Sequence, residues 1–211
     1  MRGLFFDLHN TLIDMQRPFD RWLSSVAPNL NDEQKSRAQR RNQMGYSDRL
    51  RLCRWLVDTF ELKMTPDALW HDMRSRISDY VEPNPAVLPM LERYREQFEI
   101  ALVTNGGSEN QRAKIDAAGL ASVFESERIF VSGELPFEKP DAEIFAHVCE
   151  TVGVEAEQCW FVGDHPNHDA RASRQFGLTA IWVSHGRSWE KASQPETIVT
   201  IEDLPTVIPW T

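Results

Sequence analysis

The sequence predicts an α/β fold: a three-layer parallel sheet opened after its first strand to admit a helical insert. Three observations carry that prediction. Short apolar runs alternate with helix-like segments from Glu99 onward. A further apolar run, Gly3–Leu8, stands apart near the beginning. Between them, from about Phe19 to Tyr80, the periodicity is helical and no strand-like run occurs. The chain has 211 residues, enough for one domain with a modest insertion. At 41% hydrophobic and 26% charged it can bury a core, which excludes wholesale disorder.

The first run ends in Asp7 and is followed by His9, Asn10 and Thr11, as a buried strand with functional groups at its carboxyl end would be. In the insert, Phe19, Trp22, Leu23 and Val26 fall at helical spacing. So do Leu50, Cys53, Val57 and Phe60, and then Leu69, Met73, Ile77 and Tyr80. Pro83 and Pro85 punctuate the end of this region, so residues 1–15 with 83–211 are expected to form the core and 16–82 the insert. Beyond it, Glu99–Val103 is predicted as a strand. Ser108-Glu109-Asn110-Gln111 has the spacing of a capping box. Ile129–Val131 is a brief strand. A helix opened by Pro140 and Asp141 carries Ile144, Val148 and Val152 on one face and is closed by Gly153. Cys159–Val162, Ala180–Val183 and Ile198–Ile201 complete the expected strands, with a helix over 169–176 between the first two.

The net charge of −9 disfavours non-specific nucleic-acid binding, which needs a cationic footprint. An anionic substrate would need local positive potential from a metal or a few placed donors. Cys53, Cys149 and Cys159 draw neither a zinc spacing nor a disulfide framework, which suits a reducing compartment. No apolar run reaches membrane-spanning length, and Gly3–Phe6 is far short of a secretory signal. The expectation is a soluble cytoplasmic protein, monomer or homodimer, with no membrane partner.

In open parallel sheets, ligands bind beyond the carboxyl ends of the strands. Four polar clusters stand there: Asp7-Leu8-His9-Asn10-Thr11, Thr104-Asn105-Gly106-Gly107, Glu138-Lys139-Pro140, and Gly163-Asp164 with Asp169 five residues on. Their order and spacing resemble the haloacid dehalogenase (HAD) superfamily, in particular its helical-cap members (subfamily I). The first signature of that superfamily is Asp-x-Asp-x-Thr, read here as Asp7-Leu8-His9-Asn10-Thr11; Thr104, Lys139-Pro140 and Gly163-Asp164-x₄-Asp169 match the other three. The resemblance spans nearly the whole chain. It implies a Rossmann-like core, a cap over 16–82, and a Mg²⁺-dependent phosphatase acting on a small phosphorylated metabolite. Asp7 would be the nucleophile, with Lys139 neutralising it. Thr104 and the Asn105 and Gly106 N–H groups would bind phosphoryl oxygens. Asp7, the His9 carbonyl, Asp164 and Asp169 would form the metal site.

The chemistry is coherent with those residue types. A carboxylate can attack phosphorus and split one hard displacement into two easier ones. It can approach a phosphate dianion only where charge is neutralised, and carboxylates suit the hard Mg²⁺ ion. One departure stands out: His9 occupies the position of the superfamily's second Asp, which exchanges protons with the leaving group and with water. His9 could be an acid and base in its own right. Alternatively, the chain is a weakly active or inactive HAD-fold binding protein. A 2-haloacid dehalogenase is the third reading, although that pattern carries Tyr at this position and needs no metal. Asn10 stands where Gly is frequent and tolerates a left-handed turn. His165 and His168 read as polar loop residues rather than a metal pair. Trp22, Trp55 and Trp70 read as core. Arg37, Arg40, Arg41, Arg49, Arg51 and Arg54 read mainly as solvated, with room for one to face substrate.

Overall fold

The structure, a computed structural model, describes residues 1–190 and 193–209. It divides into two compact units, Met1–Ile13 with Pro83–Thr211, and Asp14–Glu82. The first boundary falls two residues before the expected one. Leu12 and Ile13 are buried and donate their N–H groups to the Leu8 carbonyl, which ties them to the first strand.

Among the described residues the first unit holds six strands: β1 (Gly3–Phe6), β2 (Glu99–Thr104), β3 (Ile129–Val131), β4 (Cys159–Gly163), β5 (Thr179–Val183) and β6 (Glu196–Ile198). They lie in the order β3-β2-β1-β4-β5-β6, and every pairing is parallel. The strands are apolar nearly throughout because helices cover both faces. Phe5, Ala101, Val103 and Phe161 alternate onto one face and pack against Ile144, Phe145 and Val148 of a helix at Ala142–Val152. Their neighbours Leu4, Phe6, Leu102 and Val162 are equally buried on the other face, where the Phe6 ring meets Phe124 edge-on at 6.3 Å. Each fully buried Phe or Leu contributes about 1.5–3 kcal/mol.

Four sequence expectations are adjusted here. The first strand ends at Phe6, because Leu8 turns inward and its carbonyl accepts from Leu12 and Ile13. The last strand is Glu196–Ile198, and Ile201 instead starts a 3-10 helix whose Thr200 and Asp203 form a capping box. The helix expected over 169–176 is a π-helix at Pro166–Arg171 followed by an α-helix at Ala172–Phe176. The capping box at Ser108 does not form: Gly107 takes the N-cap position of the helix Ser108–Ala117, and Gln111 turns inward.

The second unit is helical: α1 (Gln16–Val26), α2 (Asp32–Asn42), α3 (Arg49–Phe60) and α4 (Pro66–Arg76), with a 3-10 turn at Ile77–Tyr80. Asn31 and Gln34 close a capping box at the start of α2, Asp48 caps α3, and Thr65 caps α4 with Pro66 in its first turn. Phe19, Trp22, Leu23, Leu69, Met73 and Ile77 bury the faces read from the sequence. On α3 the buried stripe is Leu52, Cys53 and Leu56, leaving Leu50 exposed. Trp22 is fully buried and satisfies its indole N–H on Asp72 Oδ1 at 2.9 Å, while Trp55 and Trp70 are partly buried against the same core. Arg40, Arg41, Arg51 and Arg54 are exposed, and Arg37 lies over the Trp55 ring. Arg49 is the half-buried one, held by Asn42 Oδ1 and the Gly45 carbonyl. No helix among the described residues is long and apolar enough to cross a membrane.

Candidate active site

The strand order reverses between β1 and β4, so the carboxyl ends of these two strands flank a crevice. Asp7 follows β1 and Asp164 follows β4, with the Asp7 N–H bonded to the Val162 carbonyl at 2.9 Å. Each of Asp7, Asp164 and Asp169 offers an oxygen within 4.8 Å of the others, and all three residues are buried. Asp169 reaches them because the π-helix places it one turn from Asp164. Its Oδ2 accepts from the His165 N–H at 2.8 Å. Gly163 makes the turn possible, since a Cβ there would lie 2.5 Å from the Asp169 Cβ. Gly163→Ala is therefore expected to cost about 1–3 kcal/mol by overpacking and to lower divalent-cation affinity, read by urea unfolding and titration calorimetry.

Lys139 sits between two of the carboxylates. Its Nζ donates to Asp7 Oδ1 and to Asp169 Oδ1, each at 2.7 Å, and its side chain is 3% exposed. Burial alone lowers the pKa of this ammonium, but Asp169 and Asp7 outweigh it and push the value up to about 12. For Asp7 the balance runs the other way. Burial raises its carboxyl to about 6; Lys139 opposes the shift and the nearby Asp169 adds to it. Asp7 Oδ2 also accepts from the Thr11 hydroxyl at 3.2 Å.

Thr104 ends β2, next to β1, and its hydroxyl oxygen accepts from Gln111 Nε2 at 2.5 Å. Asn105 works mainly as a latch: its side chain donates to the Lys139 carbonyl at 2.7 Å and accepts the Lys139 N–H at 2.9 Å. The Gly106 N–H is given to Ser132 Oγ at 3.0 Å, so the expected phosphoryl donor is already engaged. Asn10 adopts the left-handed backbone that the sequence allowed for, with φ 52°. His9 is half-buried, and its Nε2 lies 3.1 Å from Lys114 Nζ. His165 and His168 stack at 4.0 Å. His165 Nδ1 caps the π-helix by accepting from the Asn167 and His168 N–H groups, and its pKa falls to about 4, chiefly through burial.

The family model for Haloacid dehalogenase-like hydrolase matches residues 4–183. The chain belongs to this family. Among its relatives, phosphoserine phosphatase of Thermus thermophilus is 38% identical over 97 residues, 46% of this chain and 38% of that protein. N-acylneuraminate-9-phosphatase of Homo sapiens is 30% identical over 144 residues, 66% of this chain and 56% of the relative. The matched stretches thus span about half the length of these curated relatives, or less. The HAD-hydrolase YfnB of Bacillus subtilis, in a structure bound to magnesium, superimposes with a TM-score of 0.80 at 21% identity, covering 99% of this chain and 98% of that one. L-2-haloacid dehalogenase of Xanthobacter autotrophicus does so with a TM-score of 0.72 at 18% identity, over 99% and 98%. Both share the fold.

Four residues around this HAD-family site were not anticipated. Gln111 and Lys114 are both buried, one turn apart on the helix that leaves Thr104, and Lys114 Nζ also donates to Gln111 Oε1 at 2.9 Å. Helical spacing from the start at Ser108 places them on one inward face with Ile115. The other two follow β5. Arg187 Nη2 donates to the Asp164 carbonyl at 2.7 Å and to its Oδ2 at 3.3 Å, and His185 Nε2 meets the Asn10 carbonyl at 2.5 Å. Reading the carboxyl end of this strand as the others were read leads directly to Ser184-His185-Gly186-Arg187.

Proposed function

We propose that this chain is a phosphatase that hydrolyses a small phosphorylated metabolite through an aspartyl-phosphate on Asp7. The observation that carries the reading is the buried Asp7 carboxylate, paired at 2.7 Å with Lys139 inside a cluster of three carboxylates. The donor set fits Mg²⁺: three buried carboxylates converge, all oxygen donors, and burial already penalises the charge on Asp7. Asp7, Asp164 and the His9 carbonyl would hold the ion, with Asp169 bracing Lys139. Bound there, Mg²⁺ would supply the positive charge that lets a phosphate dianion approach a carboxylate.

Asp7 attacks phosphorus, the bond to the leaving oxygen breaks, and water then attacks the same phosphorus to release phosphate and free Asp7. Lys139 remains on Asp7 and Asp169 through both steps, and Thr104 offers its hydroxyl proton to a phosphoryl oxygen. A dehalogenase would not need the carboxylate cluster, which favours the phosphatase reading. The relatives named as phosphatases point the same way.

His9 limits the proton traffic. It stands where a carboxylate would exchange protons, so aryl phosphates, whose leaving group needs less protonation, should turn over faster than alkyl ones. A screen of both classes with and without Mg²⁺, on wild type and His9→Asp, tests the assignment. Activity is expected only with Mg²⁺, and His9→Asp is expected to raise it, up to about 10²–10⁴-fold, because a carboxylate can exchange protons with leaving group and water. No turnover in either protein, together with no calorimetric Mg²⁺ binding, would overturn the reading.

A further inference from the structure

We propose that Arg187 is a positioning residue that holds Asp164 to one carboxylate oxygen and thereby sets the preference of the site for Mg²⁺ over Ca²⁺. The role presupposes the Mg²⁺ site of the phosphatase reading; the grip on Asp164 does not. That grip comes from the end of β5. Arg187 Nη2 donates to the Asp164 carbonyl at 2.7 Å and to Asp164 Oδ2 at 3.3 Å. The same nitrogen reaches the Val183 carbonyl at 3.2 Å, and Nε donates to the Ser184 carbonyl at 2.8 Å. Trp182 gives the Asp164 carbonyl a second donor, its indole N–H at 2.9 Å, and its ring centroid lies 5.5 Å from the guanidinium carbon.

Every role in this grip is fixed by chemistry. A guanidinium stays charged and only donates, while a carbonyl or carboxylate oxygen accepts. The turn that aims it is equally fixed. His185 and Gly186 both take left-handed backbone, with φ 49° and 75°, and the Arg187 N–H returns to the Ser184 carbonyl at 3.0 Å. The Asp164 side chain is 2% exposed, so protein groups rather than water decide its orientation.

The two ions differ in what they ask of such a carboxylate. Mg²⁺ demands a near-ideal octahedron of oxygens at about 2.0–2.1 Å. Ca²⁺ accepts a larger, looser shell at about 2.3–2.6 Å and takes a carboxylate through one oxygen or both. With Oδ2 engaged by Arg187, Asp164 presents Oδ1 as its ligand atom, the contribution that suits the smaller ion. The guanidinium charge repels either dication alike, so it lowers both affinities and cancels from their ratio. Orientation does not cancel, which makes that ratio the measure of Arg187 as an orienting group.

The test is titration calorimetry of the metal-free protein with MgCl₂ and with CaCl₂, on wild type, Arg187→Met and Arg187→Lys. In Arg187→Met the ratio of the Ca²⁺ Kd to the Mg²⁺ Kd is expected to fall about tenfold, since groups that orient metal ligands are typically worth about 10–100-fold in affinity. Arg187→Lys keeps the charge but replaces a rigid fork with a point donor on a flexible stem. Its ratio should fall likewise, while both ions bind it more weakly than they bind Arg187→Met. If Arg187→Met fails to fold, the lysine variant reads the same ratio. Two affinities that rise together in Arg187→Met, with their ratio unchanged, would make Arg187 a charge and nothing more. Two that fall together would make it a brace for the fold, and either result overturns the assignment. A ratio that falls as expected, in proteins that turn over no phosphate ester, would defeat the phosphatase reading and leave Arg187 its role. No binding of either ion to wild type overturns the assignment of Arg187, and the activity screen then decides the phosphatase reading by itself.

Discussion

Asp7→Asn is expected to reduce turnover by about 10⁴-fold or more while making the metal-free protein more stable at neutral pH. The loss follows from chemistry: an amide keeps the volume of the carboxylate but cannot form the acyl-phosphate. The gain follows from electrostatics. Burial raises the Asp7 carboxyl from 3.8 to about 6, so ionising it in the folded state is costly. A raised carboxyl contributes stability that is complete below the unfolded value and is lost as pH rises through the folded one. The wild type should thus lose about 2–3 kcal/mol between about pH 4 and pH 6, and the variant should not. Urea unfolding in a chelator at pH 4 and pH 7 reads the difference: the two proteins should agree at the lower pH and separate at the higher. A variant less stable than wild type at pH 7 would show that Lys139 more than compensates for burial.

Lys139→Met should be the most damaging single change to stability. It leaves Asp7 and Asp169 buried with no cation between them, and breaking a buried pair costs about 3–5 kcal/mol. Without the ammonium, the Asp7 carboxyl moves further up. The defect should therefore be greatest above neutrality and shrink as acid protonates that group. Millimolar Mg²⁺ should restore more stability to this variant than it adds to wild type, because an ion that binds only the folded state shifts the equilibrium toward it. Thermal melts across pH 5 to 8, with and without Mg²⁺, check both expectations. Equal destabilisation at every pH would mean that Lys139 matters for packing against Phe161, 5.2 Å from its Nζ, rather than for charge.

What could be read from the chain follows from how local each signal is. Apolar runs ending in Asp7, Thr104 and Asp164 are local, and strand polarity gathers them at one edge. Lys139 was legible through its order in the motif set, although its bonds to Asp7 and Asp169 come from partners 132 and 30 residues away. Gln111 was misread because Ser-x-x-Gln is a good capping pattern, yet Gly107 already ends the loop and the amide gains more from a buried hydroxyl. Leu50 was misplaced for a similar reason: two apolar stripes are possible on α3, and packing selected the one through Leu52, Cys53 and Leu56. The π-helix that carries Asp169 has no periodicity of its own over six residues. Gly106 shows the limit of borrowing roles from neighbours in sequence, since its N–H serves Ser132 in the adjoining loop.

The central place of β1 in the sheet sets the order in which the molecule can be completed during synthesis. Residues 3–6 are made well before the strands that flank them, residues 99–104 and 159–163. The helical residues 14–82 are synthesised before either flank. Until then the apolar strand Gly-Leu-Phe-Phe has no partner, and contacts of such long sequence separation form slowly. The nascent chain therefore carries a sticky, unpaired segment until those flanks are made, a natural target for a holding chaperone. Asp7 gains its partner Lys139 only 132 residues after it is itself made.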